Sequence, residues 1–305
     1  MKLLDFAVAG RRSFGALTAE GIVDLRARLG SESADLTSFI RATGPIAAEE
    51  LSRRLESAVA GRASDPRGSV TDRRFDADFR LDEVKLLSPA GYTRYFCIGV
   101  NYPDRNEEYK DGSERPKYPS IFMRTHTSLV AHEEPIVRPR ESEQLDYEGE
   151  IVAVIGRGGR RIPEAEALSH VLGYTCGNEG SVRDWLRHAK FNVTQGKNFD
   201  RSGALGPWLV TADEVGQAPL RVTTRVNGEM RQNDTSDRMI FPLPWLIAYL
   251  SRFCTLEPGD VIFSGTPSGA GARFDPPRYL RPGDVVEVEV SRVGTLRNTV
   301  VDDVA

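Results

Sequence analysis

Apolar and polar positions alternate through Leu4 to Ala9 and Ser13 to Leu17, on either side of Gly10-Arg11-Arg12, and again from Gly21 to Leu25. This predicts a strand pair across a tight turn and a third short strand. The period then lengthens. Leu51, Leu55 and Val59 recur every four positions between Ile46 and Ala60, which predicts a helix, with Gly61 standing where a C-terminal cap belongs. Arg62 to Ser69 has linker composition, so residues 1–75 are expected to form a small N-terminal α+β domain and 76–305 a larger one.

Beyond about residue 80 short apolar runs follow one another, broken by Gly, Pro, Asn and Asp. Strands are predicted at Tyr95 to Val100, Ser120 to Arg124, Ile151 to Ile155, Trp208 to Thr211, Arg221 to Val226, Val261 to Ser264 and Val285 to Val290. Helices are predicted at Pro163 to Val171, with proline in the first turn, and at Leu243 to Phe253, which carries a broad apolar face. A doubly wound parallel sheet needs regular helices between its strands, and here they are mostly missing. The expected fold is mixed α+β and β-rich.

The chain of 305 residues can bury a substantial core, and its net charge of −4 and pI of about 5.7 come from interleaved acids and bases. That gives no electrostatic footprint for nucleic acid or an anionic membrane, leaving small-molecule chemistry or protein contacts. The first residues lack the apolar core of a signal peptide, and no segment reaches the roughly 18 to 20 apolar residues of a membrane span. A cytoplasmic protein is expected. Cys97, Cys176 and Cys254 are odd in number and widely spaced, so they are read as small buried hydrophobes rather than a disulfide or zinc framework.

Several familiar sites are excluded. Gly156-Arg157-Gly158-Gly159 is not Gly-x-Gly-x-x-Gly, and Gly196-Lys197 lacks the upstream Gly and following Ser or Thr of a phosphate loop. No Gly-x-Ser-x-Gly elbow occurs, and the four histidines form no His-x-x-x-His pair. The stretch Asp146-Tyr147-Glu148-Gly149-Glu150 differs, because it runs straight into the apolar segment Ile151 to Ile155. In an extended chain Glu148 and Glu150 project the same way, roughly 6 to 7 Å apart. Two desolvated carboxylates call for a neutralising partner, of which a hard divalent cation is one. The alternative at this point is a strand start whose acids stay in water.

Further motifs follow in order: Asn178-Glu179-Gly180-Ser181-Val182-Arg183-Asp184, Gln195-Gly196-Lys197-Asn198-Phe199-Asp200, Val226-Asn227-Gly228-Glu229, Leu256-Glu257-Pro258-Gly259-Asp260 and Gly265-Thr266-Pro267-Ser268-Gly269. Together with the Asp146 to Glu150 run, their order and spacing from about Tyr95 to Val300 resemble the fumarylacetoacetate hydrolase family. The resemblance implies a β-roll catalytic domain behind a small N-terminal domain, usually paired as a homodimer. It also implies a Mg2+ or Mn2+ site made by Glu148, Glu150 and Glu179, the last a Glu where Asp is usual. Lys197 falls on the family's active-site lysine, whose plainer reading is a solvated loop lysine. Tyr102, Arg183 and Thr266 are the implied substrate contacts.

The same resemblance implies a keto acid substrate that chelates the metal. Three readings follow. The first is hydrolysis of a C–C bond in a β-diketo acid or acylpyruvate. The second is isomerisation or decarboxylation of a hydroxymuconate- or oxaloacetate-type acid through the same enolate. The third is metal and acid binding without turnover. In hydrolytic members a His and Glu pair activates water; here Glu108 aligns with the acid but Arg105 stands where the His is expected. An arginine keeps its proton at any usable pH and cannot be the base. Paired with Glu108 it would offer a forked donor to a second substrate carboxylate; otherwise it is a surface arginine.

Overall fold

The computed structural model describes residues 1–43, 48–60, 77–89, 94–104, 115–186, 188–189 and 192–304. The linker at 62–69, the boundary at 75/76 and the positions of Arg105 and Glu108 lie outside them. Strands β1 (Lys2–Val8), β2 (Arg11–Leu17) and β3 (Ile22–Asp24) precede helices α1 (Leu25–Arg28), α2 (Leu36–Thr43) and α3 (Ala48–Ala60). Next come β4 (Lys85–Leu87), β5 (Tyr95–Ile98), β6 (Ile121–Arg124), β7 (Leu129–Val130), β8 (Ile136–Arg138), β9 (Leu145–Asp146), β10 (Gly149–Ile155), β11 (Val171–Asn178) and β12 (Ser181–Val182). The chain continues through α4 (Thr194–Lys197), β13 (Gly203–Thr211), α5 (Ala212–Val215), β14 (Arg221–Val226) and β15 (Glu229–Thr235). It ends with α6 (Leu243–Phe253), β16 (Val261–Phe263), β17 (Val285–Val290) and β18 (Gly294–Asp302).

The fold is mixed α+β and strand-rich. Among the described residues one sheet of eleven strands runs β3-β2-β1-β13-β11-β10-β16-β5-β6, with β4 beside β1 and β7 beside β13. A second sheet of five runs β15-β14-β17-β18-β8, and β9 pairs with β12. The N-terminal strands are continuous with the larger sheet, since β1 pairs antiparallel with β13 at Lys2↔Val210 and Leu3↔Leu209. They also share a core with it: Leu3, Phe14 and Leu36 pack in one cluster with Val152, Leu205 and Phe263.

Strand β10 is buried on both faces. Ile151 faces the core between the two sheets with Val222, Val288 and Leu296. Ala153 and Ile155 face α6 through Leu246, Ile247 and Leu250, while Val152 and Val154 point into the N-terminal core. That explains why its sequence is a continuous apolar run rather than an alternating one.

One expectation is corrected. Pro163 to Val171 was expected to be an α-helix, but Glu164–His170 is a 3-10 stretch and Val171 already begins β11. The sequence hides β11 behind Gly173 and Gly177, which read as turn residues. Both are there for close approach: a side chain at Gly173 would strike the Val210 backbone, and one at Gly177 the Phe263 ring and Val152. Strand β18 also escapes prediction because its inward positions include Asn298, buried with its amide donating to Ala131 O and Glu134 O at 2.8 Å each. The three cysteines are free, with Cys97 and Cys176 buried and Cys254 partly so.

Candidate metal centre and active site

The hairpin of β10 and β11 brings the acids together. Gly149 pairs with Asn178 and Glu150 with Gly177, so Glu148 and Glu179 meet just beyond the last pair. There the Glu179 N–H donates to Glu148 O at 2.7 Å, and Asn178 Oδ1 accepts the Glu148 N–H at 2.9 Å. Gln232 fastens the same corner, accepting the Gly149 N–H at 2.9 Å. The result is three buried carboxylates, Glu148, Glu150 and Glu179, each offering one oxygen within 4.8 Å of those of the other two.

Three cations surround them. Lys197, at the end of α4 and buried, sets its Nζ 2.6 Å from both Glu148 Oε2 and Glu179 Oε2, and it lies 5.1 Å from the centre of the Phe122 ring. Arg183 ion-pairs with Glu148 at 2.7 Å and donates from Nε to Asp146 Oδ2 at 2.8 Å. Asp146 is itself held by the N–H groups of Gly271 and Ala272, at 2.8 and 2.9 Å. Arg124 closes the third side. Its Nη1 donates to Glu179 Oε1 at 2.8 Å and Gly180 O at 2.7 Å, while Nε and Nη2 reach Ser128 and Ser202.

Among the described residues Glu150 is the acid of the three with no ion pair of its own. It accepts the Gly265 N–H at 2.7 Å; burial, with Glu179 and Glu148 adding repulsion, pushes its pKa well above the usual carboxylate range. Burial likewise raises Glu179, against the pull of Lys197 and Arg124. Burial alone would lower Lys197, but Glu148 and Glu179 outweigh it and keep the ammonium protonated. Among the described residues four carboxyl groups (Asp146, Glu148, Glu150, Glu179) thus face three bases (Arg124, Arg183, Lys197), one carboxyl more than the cations can pair. An all-oxygen donor set with one carboxyl left over fits a hard divalent cation such as Mg2+ or Mn2+.

Of the residues singled out from sequence, Glu148, Glu150, Glu179, Lys197 and Arg183 come together here. Tyr102 is fully buried, and its hydroxyl has no hydrogen-bond partner among the described residues. Burial, with Asp234 and Glu150 nearby, raises its pKa. Asn101 anchors this segment, donating to Ser264 O at 2.6 Å beside Gly265. The hydroxyl of Thr266 donates to Gly149 O at 3.0 Å and accepts from Gln232 at 2.8 Å, so it pins the start of β10. Arg105 and Glu108 lie outside the described residues. The sequence reading missed Arg124, whose signal was a charged residue ending the apolar run Ile121-Phe122-Met123.

The strand-rich fold and the buried acid cluster define a protein with an all-oxygen candidate cation centre, and sequence comparison names its family. Residues 94–301 match the description "Fumarylacetoacetate (FAA) hydrolase C-terminal", and the chain belongs to the fumarylacetoacetate hydrolase family. It is 42% identical over 229 residues to "Oxaloacetate tautomerase YisK" of Bacillus subtilis (strain 168), covering 73% of this chain and 75% of that protein. The fold is similar to a solved 5-carboxymethyl-2-hydroxymuconate delta-isomerase from Mycobacterium smegmatis (TM-score 0.73, 27% identity, 99% of this chain and 100% of that one). A further similar structure is maleylpyruvate hydrolase from Sphingobium sp. SYK-6 in complex with manganese(II) and pyruvate (TM-score 0.76, 25% identity, 99% of each chain).

Proposed function

We propose that this chain is a divalent-cation-dependent enzyme that enolises a 2-oxo dicarboxylate, with tautomerisation of an oxaloacetate-type acid as its reaction. The observation that carries the reading is the buried ammonium of Lys197, 2.6 Å from two of three clustered carboxylates. The similarity to an oxaloacetate tautomerase supports the choice of reaction. A cation bound by Glu148, Glu150 and Glu179 supplies Lewis-acid polarisation of the 2-oxo group. Lys197 then faces the oxygen on which negative charge develops as a proton leaves the neighbouring carbon. Because Glu148 and Glu179 keep it protonated, it acts as a donor to the oxyanion and not as a base. The buried Tyr102 hydroxyl is a second donor with no competing partner among the described residues. Arg183 is committed to Asp146 and Glu148, so it orients the cluster and meets a substrate carboxylate only at its edge. Proton transfer at carbon falls to Glu108 in this reading, with Arg105 selecting a second carboxylate.

Hydrolysis of an acylpyruvate-type C–C bond is the second reading, favoured by the similarity to maleylpyruvate hydrolase. It uses the same enolate but needs an activated water, and Arg105 stands where the family's hydrolytic His is expected. The two separate in one experiment. Fresh enol-oxaloacetate and acetylpyruvate are each incubated with the Mg2+ form, following loss of enol absorbance and release of pyruvate. Accelerated loss of the enol with no new pyruvate from either acid is expected. Pyruvate released from acetylpyruvate, with enol-oxaloacetate lost no faster than without enzyme, would refute tautomerisation.

A further inference from the structure

Gly149 stands between two of the three acids, and both peptide groups that link it to them are held by side chains of other elements. Its N–H donates to Gln232 Oε1 at 2.9 Å, and its carbonyl oxygen accepts from the Thr266 hydroxyl at 3.0 Å. Those two side chains are bonded to each other, since Gln232 Nε2 donates to Thr266 Oγ1 at 2.8 Å. Three hydrogen bonds therefore close a ring through Gly149, Gln232 and Thr266. The amide has one usable orientation, because Nε2 also donates to Pro267 O at 2.9 Å and a carbonyl can only accept. Gln232 and Thr266 are both buried, which keeps water from competing for these bonds. The backbone has no room to yield either: a side chain at Gly149 would strike Thr224 Oγ1, and Thr224 lies across from Gln232 in the β14–β15 ladder.

The loop that carries Thr266 also reaches an acid directly, through the Gly265 N–H on Glu150 Oε2 at 2.7 Å. The relative placement of Glu148 and Glu150 is thus braced by β15 and this loop and not by β10 alone. Each carboxylate, moreover, already has an oxygen held by a protein donor: Glu148 by Lys197 and Arg183, Glu179 by Lys197 and Arg124, and Glu150 by Gly265. Ca2+ takes about six to eight oxygens at about 2.3 to 2.6 Å, often from bidentate carboxylates in a flexible site, whereas Mg2+ demands octahedral geometry at about 2.0 to 2.1 Å. Choice between such ions follows from the size, ligand number and flexibility of the site. We propose that Gln232 and Thr266 are positioning residues that set the ion-size selectivity of the centre. By fixing both peptides around Gly149 they hold Glu148 and Glu150 for the smaller Mg2+ or Mn2+ and against the spread that Ca2+ requires. The inference rests on the reading of the three acids as a cation site, and it assigns selectivity there to two side chains whose hydrogen bonds go to the backbone and to each other.

Calorimetric titration of the full-length, metal-free protein with Mn2+, and separately with Ca2+, tests this in the parent and in Thr266→Val, Gln232→Met and Thr266→Ser. The first two variants open the ring, and the third keeps the hydroxyl. The parent is expected to prefer Mn2+ to Ca2+. That preference is expected to fall about tenfold or more in Thr266→Val and Gln232→Met, the scale of losing a residue that orients a metal ligand, and to stay within about twofold of the parent in Thr266→Ser. A general loosening of the fold would weaken both ions alike and leave the ratio unmoved. Where only one ring-opening variant gives a cooperative melt, its ratio decides. A parent that prefers Mn2+, with the same ratio in the ring-opening variants, would overturn this inference and leave the cation site standing. A parent that binds neither ion would overturn both.

Discussion

Arg124 offers the sharpest test of how the buried charges are held. Its guanidinium makes five hydrogen bonds, to Glu179 Oε1, Gly180 O, Ser128 O, Ser128 Oγ and Ser202 Oγ, and its side chain is 0% exposed. Arg124→Met keeps much of the volume and removes every donor. Glu179 is then left with Lys197 alone, and Lys197 must still serve Glu148. Breaking a buried pair by deleting one partner costs about 3 to 5 kcal/mol. At roughly 2 °C per kcal/mol for a chain of this size, the metal-free variant should melt about 6 to 10 °C below the parent. Saturating Mn2+ should return part of that loss, because a cation among the three carboxylates restores the missing positive charge. Thermal melts of both proteins, with and without Mn2+, are the assay. A variant that melts within about 1 °C of the parent without metal would refute the reasoning, since it would mean that Glu179 carries no uncompensated charge.

Lys197→Met should lower turnover of the enol substrate by about a hundredfold or more, the scale of losing one oxyanion donor, while Mn2+ binds at least as tightly because no ammonium competes for Glu148 and Glu179. Weaker Mn2+ binding in that variant would contradict the arrangement. Asp5 supplies a pH test away from the centre: burial, offset only in part by the Leu36 N–H that it accepts at 2.8 Å, raises its pKa from 3.8 to about 8. With the folded pKa raised, the unfolded chain loses this proton first. Stability is therefore lost as pH climbs from 3.8 to about 8, by at most about 1.4 kcal/mol per pH unit from this group. Asp5→Asn should match the parent's melting temperature near pH 4 and exceed it increasingly up to pH 8; melting curves that stay parallel across that range would sink the assignment.

The sequence made the acid cluster legible because a strand's period of two fixes which face Glu148 and Glu150 share. Glu179 and Lys197 were reachable only through motif order, since their approach depends on the register of β10 against β11 and on the short helix α4. Arg124 was not legible. An arginine ending an apolar strand looks the same whether it enters solvent or turns inward, and only the positions of Ser128, Ser202 and Gly180 make the inward turn satisfiable. Strand β11 was hidden for a related reason, because Gly173 and Gly177 look like turns until the neighbouring β13 and β16 are in place. The merging of the N-terminal strands with the main sheet could not be read locally either. It rests on Lys2 and Leu3 pairing with Val210 and Leu209, more than two hundred residues away.

The central claim is that three carboxylates form one cation site, and the Glu179→Gln variant tests it most directly. Titration followed by electron paramagnetic resonance counts the Mn2+ ions bound. The account predicts one Mn2+ per parent chain and affinity at least about tenfold weaker in the variant, because one charged oxygen ligand is lost while the hairpin and Arg124 stay in place. Equal affinity in parent and variant would contradict it.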